Sequence, residues 1–138
     1  MIGTARTAIC LTAAQATWLA GCSHNEKLSE VTGIVTLDGR PLADAMIVFS
    51  PVGAGTTSYG RSDSDGKFRM LFKDDEYGAW LGENIVRITT FDLGGKKEQV
   101  PIVYNTKSTL KVDVKAGENV HNFDLKSTAG KIVQGPAD

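Results

Sequence analysis

From residue 31 onward, apolar residues recur at alternate positions in short runs, with Gly, Asp and Pro between the runs. Gly33, Val35 and Leu37 share one phase of a run over 31–37, and Asp38-Gly39 follow as a turn in which Gly tolerates positive φ. Ala45, Ile47 and Phe49 alternate in a second run that Pro51 stops, and a Gly/Ser/Thr-rich loop fills 52–58. Asp63-Ser64-Asp65-Gly66 reads as a tight turn into a strand with Phe68 and Met70 on one face. Val86 and Ile88 mark a strand between residues 83 and 90, and a charged, Gly-containing loop covers 92–98. Leu110, Val112 and Val114 alternate, Ala116-Gly117-Glu118-Asn119 turn, and Phe123 and Leu125 close the last strand. Period-two runs with turn signals about every 8–12 residues predict an all-β domain, a Greek-key β-sandwich of about seven strands. It spans 31–126. Nowhere is there a sustained helical period, and the Gly/Pro/Ala-bearing stretch 127–138 reads as a flexible tail.

The first 21 residues follow a different pattern. They carry no Asp or Glu and a single basic residue, Arg6, ahead of a mostly apolar stretch over 8–20 that Thr12, Gln15 and Thr17 dilute. A short apolar core after a cationic start is what the secretion machinery reads as a signal peptide. It is too short for an ordinary membrane-spanning helix, which needs about 18 or more apolar residues. It ends in Leu19-Ala20-Gly21-Cys22, immediately before the polar run Ser23-His24-Asn25-Glu26-Lys27. That tetrapeptide resembles the bacterial lipobox, which implies cleavage after Gly21 and diacylglycerol on the Cys22 thiol. Two plainer readings stand beside it, an Ala-rich N-terminal helix of a cytosolic protein and an ordinary secretory signal cut nearby; the position of the motif favours lipidation. Residues 1–21 are then a lipoprotein signal peptide and 22–30 a polar tether with a reach of about 30 Å at ~3.4 Å per residue.

Composition agrees with export and narrows the partners. Cys10 would leave with the signal and Cys22 would carry lipid, so no disulfide is expected in the mature domain. The 15 Lys and Arg against 16 Asp and Glu leave a formal charge of −1, with no cationic surplus to neutralise a phosphate backbone. No nucleic-acid partner is expected.

A family resemblance rests on particular residues. The run Val31-Thr32-Gly33-Ile34-Val35-Thr36-Leu37-Asp38-Gly39-Arg40-Pro41-Leu42, then Ala45, Ile47, Phe49 and Pro51, resembles the opening of the carboxypeptidase regulatory-like, transthyretin-like domains. Arg61-Ser62-Asp63-Ser64-Asp65-Gly66-Lys67-Phe68 is similar to their T-D-x-x-G-x-F hairpin, with Ser62 in place of Thr. Gly78-Ala79-Trp80-Leu81-Gly82-Glu83 matches the approach to a G-x-Y-x-V-x-I strand, and Pro101 to Asn105, Ser108 to Leu110 and Asn119 to Leu125 complete the pattern. Behind a lipobox, the combination is similar to small lipoproteins of the planctomycete type. The resemblance implies the sandwich fold and no catalytic residues. One departure is Asn84, where the family has an inter-sheet Tyr; Tyr77 or Trp80 is the candidate to fill that space.

Candidate chemistry is sparse. Hydrolysis needs a nucleophile with a positioned base, or a metal with suitably spaced ligands. His121 shares its phase with Phe123 and Leu125, which suits a structural histidine at the core rim, and no motif sets a nucleophile beside it. No enzyme and no cofactor are expected. Asp63 and Asp65 are the candidate calcium ligands, with the Asp74-Asp75-Glu76 cluster as the remaining donors. The plainer reading, a hairpin turn capped by Asp, is preferred. Tyr59, Tyr77, Trp80 and Tyr104 are candidate stacking residues, Trp80 and Tyr104 foremost. Lys73-Asp74-Asp75-Glu76 and Gly94-Gly95-Lys96-Lys97-Glu98 mix signs and read as solvated surface. The expectation is a non-catalytic, lipid-anchored β-sandwich facing the periplasm or the cell surface. It would contact an envelope protein or a polysaccharide, with a small-ligand or calcium-binding lipoprotein as the alternative.

Overall fold

The computed structural model describes residues 27–135. The signal segment, the Leu19-Ala20-Gly21-Cys22 motif, tether residues 22–26 and the last three residues lie outside that range.

Twelve short strands follow one another: β1 (Leu28–Leu37), β2 (Arg40–Pro41), β3 (Met46–Pro51), β4 (Ser58–Arg61), β5 (Lys67–Arg69), β6 (Leu71–Lys73), β7 (Glu76–Tyr77), β8 (Ala79–Trp80), β9 (Gly82–Thr89), β10 (Lys111–Val114), β11 (Glu118–Val120) and β12 (Phe123–Leu125). Two three-residue 3-10 turns, Ile102–Tyr104 and Ser127–Ala129, are the helical elements among the described residues. The count exceeds the expected seven because runs are interrupted where the chain changes partners. β5 and β6 are one run broken at Met70, and β11 and β12 are one run broken at His121 and Asn122.

The first sheet is built on β1, which pairs in parallel with β11 and β12 and antiparallel with β2, β5 and β8. The second is antiparallel, in the order β10-β9-β3-β4-β6-β7. Strands that cross between packed sheets need corners, and Met70 and Gly78 make two of them. Before Met70 the chain pairs with β1, and after it with β4. The Met70 N–H donates to the Val31 carbonyl in the first sheet, and the Met70 carbonyl accepts from the Gly78 N–H. Gly78 sits at φ +131, where a Cβ would lie 2.7 Å from the Ser29 carbonyl oxygen.

The alternating residues face one another between the sheets. Val31, Val35, Phe68, Phe123 and Leu125 of the first sheet pack against Ile47, Phe49, Val86, Ile88 and Val114 of the second. Phe123 bridges the layers, stacked on Phe68 at 6.0 Å and edge-on to Phe49 at 6.3 Å between centroids. Asp38 and Gly39 both take positive φ, 52° and 80°, closing the expected β1–β2 hairpin.

Two boundaries differ from expectation. β1 begins at Leu28, not Val31, because Leu28 and Ser29 are buried and pair with Trp80 and Ala79. The described part of the expected tail is tied to the body: Ser127 donates through its backbone and hydroxyl to Asp38, Lys131 accepts from Ile102, and Gln134 exchanges hydrogen bonds with the Glu98 backbone.

Candidate functional site

The Asp63–Gly66 segment is a capped turn. Asp63 Oδ1 accepts the N–H groups of Asp65 at 2.9 Å and Lys67 at 3.0 Å, and Gly66 takes φ +75. A carboxylate oxygen committed to two backbone donors is what an Asp-led turn requires. Asp74, Asp75 and Glu76 are not gathered with it: no cluster of three or more His, Cys, Asp or Glu suited to a metal occurs among the described residues.

Trp80 and Tyr104 stand at opposite ends of β1 and do not share a site. Trp80 pairs with Leu28 and packs on Phe72 at 6.1 Å, with the Lys27 ammonium 5.5 Å from its ring. The Tyr104 hydroxyl accepts from the Lys126 N–H, just beyond the Leu37–Leu125 pair. At a strand rise of about 3.3 Å per residue the two ends of β1 are about 30 Å apart. Tyr77 is exposed and lies under the Arg69 guanidinium, 3.7 Å from its ring centre. Asn84 is fully buried, and its Nδ2 donates to the Trp80 and Gly82 carbonyls.

His121 occupies the core rim, its ring 6.3 Å from that of Phe49. Desolvation lowers its pKa against the opposing pull of Asp113. An open cleft of about 520 Å³ between β10 and β11 lies beside it, lined by Lys111, Asp113 and Glu118 among others. Among the described residues no Ser or Cys lines it.

Glu98, expected on a solvated loop, is 5% exposed. Its Oε1 accepts from the Thr90 N–H and hydroxyl and from the Gln99 and Val100 N–H groups, and its Oε2 from the Thr89 hydroxyl. Burial raises its pKa, but the hydrogen bonds from Thr89, Thr90 and Val100 together outweigh burial and hold it below the ordinary glutamate value. Lys96 of the same loop pairs with Asp44, which also holds Arg61. The mixed-sign run is therefore a brace that docks the 92–98 loop onto the end of β9 and the start of β3.

That brace shapes a feature assembled by register. On the outward face of the second sheet, Tyr59, Val48 and Arg87 form a row across β4, β3 and β9, and Arg61, Met46 and Thr89 form the next. Phe91, Asp92 and Leu93 rise beside them from the braced loop, enclosing with Asn105 a groove of about 510 Å³. Its lining is mainly apolar, and Leu93 is 93% exposed. Arg87 is partly buried. Its Nε is shut off from solvent without a hydrogen-bond partner, and no ion pair reaches it among the described residues. Asp92 lines the same groove but commits Oδ1 to the Gly94 and Lys96 N–H groups. An apolar groove with one unpaired guanidinium can hold an apolar body bearing an anionic, planar acceptor.

Sequence reasoning singled out Tyr59 as a stacking candidate but passed over Met46, Val48 and Arg87, which occupy the outward phase of their strands. One signal was available: 45–49, Ala-Met-Ile-Val-Phe, is apolar at every position. Such a run marks a strand with apolar contacts on both faces.

No protein-family model matches the chain, and no curated protein matches it. Among solved structures it is similar to a DUF3823 family protein from Parabacteroides merdae, at a TM-score of 0.46 and 21% identity over 73% of this chain. The match spans 47% of that protein, so the chain covers about half of its length.

Proposed function

We propose that this chain is a non-catalytic binding module, a β-sandwich held at the membrane of the bacterial cell envelope by lipid on Cys22. It presents the outward face of its second sheet to what it binds. The observation that carries the binding reading is the groove around Arg87, where apolar side chains surround a guanidinium that no described residue pairs. The anchor reading rests on Leu19-Ala20-Gly21-Cys22 at the end of the apolar leader. Several acyl chains would make such a tether permanent, where one gives only reversible attachment. The partner is then an envelope protein or polysaccharide. The groove volume favours a second reading, a small-ligand-binding envelope lipoprotein, since small-molecule sites run from about 300 to 1,000 Å³.

Two measurements test this. The intact mass of protein recovered from membranes should equal that of residues 22–138 plus lipid, and Cys22→Ala should abolish both the mass shift and the membrane association. A full-length, unmodified mass would remove the envelope assignment. A photoreactive residue at position 59 should cross-link envelope material, while one at Ile34, exposed on the first sheet, should not. Equal labelling from both positions would remove the second-sheet face as the contact surface.

A further inference from the structure

We infer that the groove on the second sheet is a site for a small amphipathic carboxylate, an anionic head on a flat apolar body, with Arg87 as the residue that receives the head. This rests on the binding-module reading and names its ligand class. Register sets Arg87 in the row with Val48 and Tyr59, so the cation stands beside apolar side chains of the groove. Its Nε, shut off from solvent and without a hydrogen bond, has lost hydration and gained nothing from the protein, which leaves the outer nitrogens to meet a ligand. Its planar fork matches a carboxylate in a two-point contact, and a partly desolvated pair of that kind is stronger than one in open water.

The walls complete the fit. Met46, Val48, Tyr59 and Phe91 offer an apolar bed, and Leu93 stands free above it on a loop that Glu98 and Lys96 brace. Asp92 opposes an anion by its charge, but its Oδ1 is engaged by backbone donors. Removing that charge while keeping the acceptor should therefore tighten binding.

The experiment is a calorimetric titration of the full chain with phenylbutyrate, its neutral amide phenylbutyramide, and acetate. Phenylbutyrate is expected to saturate one site per chain, the amide to bind at least about tenfold more weakly, and acetate not to bind. Arg87→Gln should bring phenylbutyrate down to the affinity of the amide without changing the melting temperature, and Asp92→Asn should strengthen it several-fold. Equal binding of acid and amide would overturn the role of Arg87 and leave a purely apolar site. Absence of binding by both, with cross-linking at position 59 intact, would overturn the small-carboxylate class while the binding-module reading stands. Phenylbutyrate binding together with a full-length, unmodified mass for the protein recovered from membranes would leave this site in place and remove the envelope assignment.

Discussion

Single side chains decide where this fold is rigid. Gly33 lies in the middle of β1, and a Cβ there would come within 1.9 Å of the His121 carbonyl oxygen and 2.8 Å of the Phe68 ring. Because one obstacle is backbone, a rotamer change cannot relieve the clash. Gly33→Ala should destabilise the domain by about 3 kcal/mol, read as a fall in the denaturant midpoint. A midpoint like that of the parent protein would show that the chain at His121 does not approach so closely. Stability should decline in two pH windows as acid is added. His121 has a lowered folded pKa, so the neutral ring is the form the fold favours; its contribution is complete above the unfolded pKa of about 6.5 and fades as pH drops through the folded value. Glu98 behaves in the same direction lower down, its contribution complete above about 4.3 and lost as pH falls through its lowered folded value. Stability curves of His121→Gln should lack the first decline and those of Glu98→Gln the second. Glu98→Gln should also cost about 2–3 kcal/mol at neutral pH, because the hydrogen bonds to Oε1 lose their charged acceptor and the Thr89 hydroxyl must turn to accept from the amide.

At the level of strands, much was legible from alternation. Ala45, Ile47 and Phe49, Val86 and Ile88, and Phe123 and Leu125 are all buried where their phase predicts. Period two reports which face a residue occupies, not which strand lies beside it. The parallel pairing of β1 with β11 and β12 and the changes of sheet at Met70 and Gly78 were therefore invisible. Leu28 and Ser29 went unread as strand because two residues carry too little alternation to be seen. The groove was hidden for the same reason: Tyr59, Val48 and Arg87 are 11 and 39 positions apart in the chain, and only register sets them in a row. Glu98 was misread because a charge run says nothing of a buried acceptor's partners. The Asp63 hairpin was legible, since Asp followed by Gly three residues later has a local geometry. Asp63→Ala should cost about 1–2 kcal/mol, while Asp63→Asn, which keeps Oδ1, should be nearly neutral. Calcium or a chelator should leave the melting temperature of the parent chain unchanged. A calcium-dependent rise lost in Asp63→Asn would overturn the turn reading.

The molecule as a whole is a two-layer sandwich in which the first strand lies beside the last two. β1 runs parallel to β11 and β12, with Glu30 to Thr32 opposite Glu118 to Val120 and Val35 to Leu37 opposite Phe123 to Leu125. The break between them is spliced by the His121 N–H on the Thr32 carbonyl and by Asn122 Oδ1, which accepts from Ile34. This arrangement sets how the domain meets force. Tension between a held N-terminal end and the far end of β12 pulls two parallel strands past each other along their axes. The inter-strand hydrogen bonds then share the strain together and yield together. Traction applied across the β1–β2 hairpin would instead part its rungs one at a time. A domain wired in this way holds against tension along its first strand, and gives way readily when pried from the side.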